Sequence, residues 1–326
     1  MLRSGCLQSR HTRAPLQVRR AACGSRLNSE WCKVDGVDRE SLDKHVIQWY
    51  PGHIAKAERQ LKEQLVKVDI VFDVRDARIP YSTHHPMLED WMASKRRFVL
   101  INRTDMISKA DLQRWKQHYS SDPASSTRVF FTNGQSGTGV PSVVRASEKL
   151  SGEINANRTR RGLKRRPVRA CVVGFPNIGK SALINRLLKR RVVDSAARPG
   201  VTRILRWVRM GESLDLLDSP GIIPGSIRDQ TVASKLAICN DIGEASYVHS
   251  AVAAVYLGIL PTLPDGRRLV RKLERHYKIT LADGTAEDFI WKLADLLFQG
   301  DPERAGQRIL KDYRDMSLGP FALEVP

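Results

Sequence analysis

Short apolar runs alternate with segments of helical spacing over the first half of the chain. The apolar runs are rich in β-branched or aromatic residues, which is typical of buried strands. They lie at 69–74, 97–102 and 128–132. The helical segments follow them at about 84–94, 108–119 and 139–150. Strands that alternate with helices predict βαβ units, so the expected fold class is α/β with a mostly parallel sheet flanked by helices.

The pattern changes near residue 225. Before that point the second half predicts further strands, and a glycine-rich turn and a helix follow the first of them. These strands lie at 168–173, 204–210 and 213–218. Beyond residue 225 the pattern predicts only helices, separated by breaks that contain Gly and Pro. We therefore expect an α/β domain over 40–225 and a small helical domain over 226–326.

Basic residues outnumber acidic ones, and they are unevenly placed. The 326 residues include 54 Lys and Arg against 35 Asp and Glu, a formal net charge of +19. This balance indicates a nucleic acid or an anionic membrane surface as partner, with a merely solvated basic surface as the alternative. Residues 151–167 are polar and basic, which predicts a linker or an exposed loop. The apolar segment 247–260 is too short to span a bilayer and predicts a buried helix.

The first 29 residues have the composition of an organelle transit peptide. They contain six arginines, several serines and no Asp or Glu. The alternative is a disordered basic arm that stays on the protein and binds RNA. The five cysteines of the chain form no C-x-x-C pair, which argues against a zinc site or a disulfide framework and is typical of a reducing compartment.

A phosphate-binding loop follows the strand predicted at 168–173. The segment Gly174-Phe-Pro-Asn-Ile-Gly-Lys-Ser181 matches G-x-x-x-x-G-K-[ST] and opens a helix. Its glycines let consecutive backbone N–H groups point at phosphate oxygens, and the helix N-terminus adds partial positive charge. We expect Lys180 to reach the β- and γ-phosphates and the Ser181 hydroxyl to bind Mg²⁺.

Two later segments complete the phosphate side of the predicted site. Asp218-Ser-Pro-Gly221 ends an apolar run and fits D-x-x-G, with Asp218 on the water shell of the metal and the Gly221 N–H on the γ-phosphate. Thr202 lies between the two motifs and can close over Mg²⁺ as a switch residue. Ile222 stands where many GTPases have a water-orienting glutamine, which predicts slow intrinsic hydrolysis.

The base-binding segment comes earlier in the chain. Asn102-Arg-Thr-Asp105 follows an apolar strand and resembles the N-K-x-D guanine box, with Arg103 in place of the usual lysine. The Asp105 carboxylate can accept both the N1–H and the exocyclic amine of guanine, whereas adenine offers neither donor, which disfavours a P-loop ATPase. After the next strand, Asn133 and Gly134 begin a loop that aligns with the GTPase loop whose backbone N–H caps guanine O6. We expect the Gly134 backbone N–H to take this role.

The motifs stand in a permuted order, with the guanine box before the phosphate loop. The same sheet can form from a cyclically re-cut chain. In this order the chain resembles the circularly permuted GTPases of the YlqF/RbgA type, with its closest likeness to the plant chloroplast DAR GTPases. Besides these boxes, the segments that carry the likeness are 49–57 (WYPGHIAKA), 73–80 (DVRDARIP) and 235–243 (KLAICNDIG).

The resemblance implies a GTP-hydrolysing assembly factor for the large ribosomal subunit of an organelle, the chloroplast stroma in the first place. Such a factor would bind ribosomal RNA, be released or reset by hydrolysis, act as a monomer and lack stable membrane insertion. The resemblance also implies that His53 helps to place the attacking water and that Asn177 binds K⁺. The alternatives are a GTP-dependent RNA-binding scaffold with negligible turnover, the equivalent mitochondrial factor and, for His53, a packing or RNA-contacting role.

The predicted site residues form groups around GTP or GDP. On the base side they are Asn102, Arg103, Thr104, Asp105, Asn133 and Gly134. On the phosphate side they are Gly174, Asn177, Ile178, Gly179, Lys180, Ser181, Ala182 and Gly221. The catalytic candidates are His53, Lys180 and Thr202; Ser181, Thr202 and Asp218 are the Mg²⁺ candidates, and Asn177 is the K⁺ candidate.

Two predictions concern residues outside the nucleotide motifs. Asp76 and Arg78 follow a strand, and we expect a structural ion pair rather than a brace on the nucleotide. Clusters of Lys and Arg predict contacts with RNA phosphate, although the second cluster also fits a solvated helix face. These clusters lie at 158–169, at 186–191 and at Arg267, Arg268, Arg271, Lys272 and Arg275.

Overall fold

The structure is a computed structural model, and it describes most of the chain beyond residue 50. The described residues are 47, 51–92, 95–121, 127–189, 206–210, 213–218, 227, 229–281 and 284–326. Of residues 51–57, 206, 210 and 218 only the backbone is described. The predicted transit peptide, Thr202 and Gly221 lie outside the described residues.

Six strands in the described part of the chain form one sheet. They are β1 (Ile70–Asp76), β2 (Arg96–Asn102), β3 (Arg128–Phe131), β4 (Val168–Val173), β5 (Arg206–Met210) and β6 (Leu214–Asp218). Their order across the sheet is β3-β2-β1-β4-β6-β5, and every neighbouring pair is parallel except β5 and β6. The expected α/β fold with a mostly parallel sheet is therefore confirmed. All seven residues of the central strand β1 are buried, which is typical of a parallel strand covered on both faces.

Helices flank the sheet and then form the C-terminal region. Those that belong to the α/β part are α1 (Pro51–Leu65), α2 (Leu88–Met92), α3 (Lys109–Ser120), α4 (Val140–Arg160) and α5 (Lys180–Leu187). Those that follow the sheet are α6 (Gln230–Ile238), α7 (His249–Ile259), α8 (Gly266–Tyr277), α9 (Ala286–Leu297) and α10 (Pro302–Arg314). Side-chain caps set several of their starts, as where Ser108 accepts the Asp111 N–H and where Thr285 and Asp288 form a capping box.

Helix α4 corrects the prediction of a basic linker over 151–167. Residues 151–160 continue the helix without a break, and only 161–167 connect it to β4. Although this sequence is mostly polar, it buries one face of the helix, which includes Leu150, Ser151 and Asn155. The Asn155 side chain then fixes the connection, because its amide donates to the Arg166 carbonyl at 2.9 Å and accepts the Arg166 N–H at 3.0 Å.

The C-terminal helices share a hydrophobic core with the sheet. Leu310 of α10 and Val172 of β4 belong to the same cluster of buried side chains. The segment after α10 returns to the end of β1, where the Leu323 N–H donates to the Arg78 carbonyl at 2.9 Å. The helix predicted at 247–260 is α7, but it is buried on one face only and exposes Val255 on the other. In the described part of the chain no helix is long and apolar enough to cross a membrane.

Candidate nucleotide site

The guanine box and the phosphate loop meet at one edge of the sheet. Strand β2 ends at Asn102, and β4 ends at Val173, directly before the phosphate loop. Both strands pair with β1 in parallel, so their carboxyl ends lie at the same edge. In open α/β sheets this edge is where ligands bind. Asn102 and Gly174, which are 72 residues apart in the sequence, therefore lie on either side of β1 at the same edge.

Asn102 joins the three loops of the site. Its side-chain amide donates to the Ile178 carbonyl of the phosphate loop at 2.9 Å. Its side-chain oxygen accepts the Gly134 N–H at 3.0 Å and the Thr132 hydroxyl at 3.2 Å. Because Asn102 is fully buried, these bonds are made in a low-dielectric environment and fix the loops relative to one another.

Arg103 extends from the guanine box to the phosphate loop. Its backbone is left-handed, with φ 63°, and its guanidinium donates to the Asn177 carbonyl. The same guanidinium lies 3.3 Å from the Asp76 carboxylate at the end of β1. The arginine is thus held between two elements, and its stem is available to cover a base.

The other base-side residues shape the loops next to Arg103. Thr104 and Asp105 form a short 3₁₀ turn in which the Thr104 hydroxyl donates to the Thr132 carbonyl at 3.2 Å, and Asp105 is exposed. Asn133 is nearly buried, and its side-chain oxygen accepts the Gln135 N–H at 2.8 Å. This Asx-type bond stabilises a turn in the loop. The same loop is predicted to place a backbone N–H next to guanine O6.

Close approaches explain the glycines of the site. A Cβ at Gly134 would lie 2.9 Å from the Leu183 nitrogen of α5, so only glycine lets this loop pack on that helix. At Gly179, φ is 87° and a Cβ would lie 2.7 Å from the Asn102 amide nitrogen. At Gly174, a Cβ would lie 2.5 Å from the Val74 carbonyl oxygen. At each of these three positions a larger residue would therefore collide with a neighbouring loop, strand or helix.

Helix α5 presents its N-terminus to the phosphate side. It begins at Lys180, and Ser181 and Ala182 are in its first turn, where backbone N–H groups have no intrahelical acceptor. The Lys180 ammonium donates to the Phe175 carbonyl at 2.7 Å and to the Gly174 carbonyl at 3.2 Å, across the loop. Loop, helix N-terminus and ammonium therefore converge, as phosphate binding requires.

A buried charge network lies behind the two loops. Asp76 and Arg78 form a bidentate ion pair with distances of 2.8 and 3.0 Å, and both are fully buried. The arginines beside Asp76 lower the pKa of its carboxyl despite burial, which on its own would raise it. Asp241, also fully buried, lies 4.0 Å from the Arg103 guanidinium. Burial, and then the Asp76 charge, raise the pKa of Asp241 to about 8.

Asp241 is the functional candidate that sequence reasoning missed. It belongs to the segment 235–243, which carries the family likeness, but no motif spacing connects it with the guanine box. Only the packing of α6 against the end of β1 brings it next to Arg103. The expected Asp76–Arg78 ion pair is present, and it also touches the nucleotide loops through Arg103.

The remaining predicted residues are described only in part. His53 is in the first turn of α1, and Asp218 is the last residue of β6, whose backbone pairs with Val172 beside the phosphate loop. Their side chains, like the whole of Thr202 and Gly221, lie outside the described residues. In the described part of the chain, no cluster of three His, Cys, Asp or Glu side chains could hold a metal. A nucleotide-bound Mg²⁺ needs no such cluster, because phosphates and water supply most of its ligands.

Fold and site together define a P-loop GTPase of permuted order, with the base box ahead of the phosphate loop. A family model described as 50S ribosome-binding GTPase matches residues 169–257. Ribosome biogenesis GTPase A of Bacillus licheniformis is 35% identical over 86% of this chain and 99% of its own length. Short integuments 2, mitochondrial, of Arabidopsis thaliana is 32% identical over 67% of this chain and 57% of its own length. The GDP-bound structure of YlqF from T. maritima has a TM-score of 0.57 at 22% identity and covers 82% of this chain and 99% of that one.

The identity to the Bacillus protein over most of both chains shows the family. This chain belongs to the ribosome biogenesis GTPase A family, also called YlqF or RbgA. It binds guanine nucleotides and hydrolyses GTP. The solved YlqF structure supports the fold alone, including the sheet and the C-terminal helical region.

Proposed function

We propose that this GTPase assembles the large ribosomal subunit of an organelle. It binds the ribosomal RNA of the precursor and is released or reset by GTP hydrolysis. The observation that carries the proposal is the coupling of a guanine-nucleotide site to a helical region with a strongly basic outer face. The family model, described as a 50S ribosome-binding GTPase, and the Bacillus relative, named for ribosome biogenesis, support the same partner.

The nucleotide lies along the carboxyl edge of the sheet in this proposal. Asp105 pairs with the guanine edge, the Gly134 N–H faces O6, and the Arg103 stem covers the base. The N–H groups between Gly174 and Ala182 surround the phosphates, and Lys180 exchanges its carbonyl partners for phosphate oxygens. These assignments rest on the convergence of Asn102, Arg103 and the phosphate loop at one edge.

Hydrolysis in this proposal depends on residues at the rim of the site. Ser181, Thr202 and Asp218 would hold Mg²⁺ directly or through water, and the ion would supply positive charge next to the phosphates. Asn177 binds K⁺, and His53 places the attacking water that Ile222 cannot hydrogen-bond. The test is turnover of His53→Ala with ribosomal particles, and unchanged stimulated turnover would remove His53 from catalysis.

Helix α8 supplies the clearest RNA-binding surface. One face of the helix buries Leu269, Leu273 and Tyr277 in the core. The opposite face exposes the basic side chains Arg267, Arg268, Arg271, Arg275 and Lys278. Cations that are concentrated on one face of a helix create a positive potential that attracts RNA phosphate, and such binding is salt-dependent.

A charge-matched pair of variants tests this surface. Arg268→Gln/Arg271→Gln removes two exposed charges from α8, and Lys109→Gln/Lys116→Gln removes two exposed charges from α3. We expect the α8 variant to lose at least about tenfold in affinity for large subunits and to have a smaller salt slope, while the α3 variant binds like the wild type. Equal losses in both variants, measured by co-sedimentation, would contradict the role of α8.

The proposed compartment is the chloroplast stroma, with the mitochondrial matrix as the alternative. The acid-free, arginine-rich residues 1–29 suit either organelle, and the plant relative is named mitochondrial. A fluorescent fusion of residues 1–29 distinguishes the two. Fluorescence in plastids would support the chloroplast. Fluorescence in mitochondria would instead indicate that the protein assembles the large subunit of the mitochondrial ribosome.

A further inference from the structure

The turn that ends α6 reaches into the nucleotide site from the helical region. The carbonyl of Asn240 accepts a hydrogen bond from the Asn177 side-chain amide of the phosphate loop at 2.8 Å. The carbonyl of Cys239, one residue earlier, accepts from the Arg78 guanidinium at 2.9 Å. Two consecutive backbone carbonyls of one turn thus hold two different elements of the α/β part.

The backbone of this turn is defined by its helix-ending motif. The Asp241 N–H donates to the Leu236 carbonyl at 2.9 Å, and the Asn240 N–H donates to the Ala237 carbonyl at 3.0 Å. This pair of bonds is the Schellman motif, in which the residue after the C-cap is left-handed. Asn240 has φ 62°, as the motif requires. The direction of the Asn240 carbonyl therefore depends on this single left-handed residue.

The contact orients the Asn177 side chain. A carbonyl oxygen can only accept, so it selects the NH₂ end of the amide and leaves the Asn177 side-chain oxygen pointing elsewhere. Asn177 is itself left-handed, with φ 55°, and its own carbonyl accepts from Arg103. The turn therefore determines which chemical end of this phosphate-loop side chain faces away from the helical region.

The third residue of the turn faces the guanine box. The Asp241 carboxyl lies 4.0 Å from the Arg103 guanidinium and 3.9 Å from that of Arg78. Within the described residues neither Asp241 oxygen accepts a hydrogen bond, although the side chain is fully buried. A buried acid at this distance needs only a small movement of Arg103 to gain a hydrogen bond. Asp76 completes a closed ring of contacts, because it binds both arginines.

We propose that the turn Cys239–Asp241 is a positioning element of the nucleotide site, which aims Asn177 and Arg103 from the helical region. The packing of the helical region then sets the affinity for guanine nucleotides. Since coupling between two binding events is reciprocal, a partner that displaces α6 changes nucleotide affinity, and nucleotide binding changes affinity for that partner by the same factor. This route uses the buried side of α6 and is independent of any switch segment near residue 222.

A graded series at Asn240 tests the proposal. Glycine adopts a left-handed backbone freely, alanine with strain and valine with more strain, so the three variants displace the carbonyl to increasing degrees. The control is Gln299→Val, which imposes the same strain at an exposed left-handed residue (φ 56°) that has no contact with the site. Each full-length variant is titrated with GDP, and its thermal midpoint is recorded without nucleotide.

We expect GDP affinity to fall in the order of strain. Asn240→Gly should stay within about twofold of the wild type, and Asn240→Val should lose about three- to tenfold, the range of one hydrogen bond. Gln299→Val should lose thermal stability but no affinity. If Asn240→Val does not fold, Asn240→Ala carries the comparison with Gln299→Val. Equal GDP affinity in all folded variants would overturn the proposal, whereas a wild type that binds no GDP would overturn the nucleotide site itself.

A double-mutant cycle separates positioning from general destabilisation. Asn177→Ala removes the amide that the Asn240 carbonyl holds. If the turn acts through Asn177, adding Asn240→Val to Asn177→Ala should cause a smaller loss of affinity than Asn240→Val causes alone. Additive losses would show that Asn240 does not act through Asn177 and would contradict this arm of the proposal.

Discussion

In the proposed site a single side chain, that of Asp105, determines which base is accepted. Asp105 is exposed at the carboxyl edge of β2, in the turn that Thr104 fixes to the next strand. Asp105→Asn replaces an acceptor pair with one acceptor and one donor, which no longer fits the two donors of guanine. We expect GDP affinity to fall at least about 100-fold, because one hydrogen bond to guanine is lost and the other is no longer made to a charged group. Affinity for xanthosine diphosphate, which offers an acceptor in place of the amine, should rise.

The control for this base swap is Asp90→Asn, which removes an exposed carboxylate in the first turn of α2. It should leave both nucleotide affinities unchanged in the same calorimetric titration. Loss of GDP affinity without any gain for the xanthine nucleotide would indicate a disrupted loop instead of an altered base contact.

Asp241 gives the stability of the protein a pH dependence near neutrality. Its pKa of about 8 lies above the ordinary value, so the native state keeps a proton that the unfolded chain has released. The stabilising contribution is therefore complete below about pH 4 and is lost as pH rises to about 8, by at most about 1.4 kcal/mol per pH unit. His85, whose pKa burial lowers to about 4, has the opposite effect but only below about pH 6.5.

Among the described groups with a shifted pKa, Asp241 is therefore the one expected to make stability depend on pH between about pH 6.5 and 8. In urea unfolding over this window, the free energy of unfolding of the wild type should decrease with pH, and that of Asp241→Asn should decrease less. Parallel pH profiles for the two proteins would show that Asp241 is ionised throughout the window.

At the scale of elements, the site depends on how closely the base-side loop packs on α5. Gly134→Ala places a methyl group 2.9 Å from the backbone nitrogen of Leu183, so the loop or the helix has to move. We expect a loss of about 1–3 kcal/mol in the free energy of unfolding, together with weaker GDP binding. Gly152→Ala is the matched control. It lies within α4 with no atom near the added methyl group, and it should stabilise by about 0.5–1 kcal/mol.

Element prediction succeeded where a local pattern carries the signal. The strands and the phosphate loop were predictable because burial on both faces and glycine spacing are properties of short segments. Helix α4 was predicted to end too early, because its second half buries serine and asparagine instead of aliphatic residues. The network around Asp76, Arg103 and Asp241 could not be predicted, since it joins three distant segments that only tertiary packing brings together.

At the scale of the molecule, the permuted order connects the nucleotide site to the helical region along the chain. Strand β6, which pairs with β4, is the last strand along the chain, and helix α6 is the next element after it. The helical region also returns to the end of β1, where Glu324 accepts the Tyr81 N–H at 2.8 Å. The helical region, whose helix α8 we propose to bind RNA, is therefore packed against the end of β1 and, through the turn after α6, against the phosphate loop. In our proposal this packing connects GTP hydrolysis to RNA binding and release.

A ribosome-coupled GTPase is tested by GTP turnover of the chain without residues 1–29, in KCl, with and without large ribosomal subunits of the matching organelle. We expect slow turnover of GTP by the protein alone, strong stimulation by the subunits and no comparable turnover of ATP. GTP binding without stimulation by either organelle's subunits would contradict a ribosome-coupled GTPase and favour an RNA-binding scaffold. Equal turnover of ATP and GTP would contradict the guanine site built around Asp105.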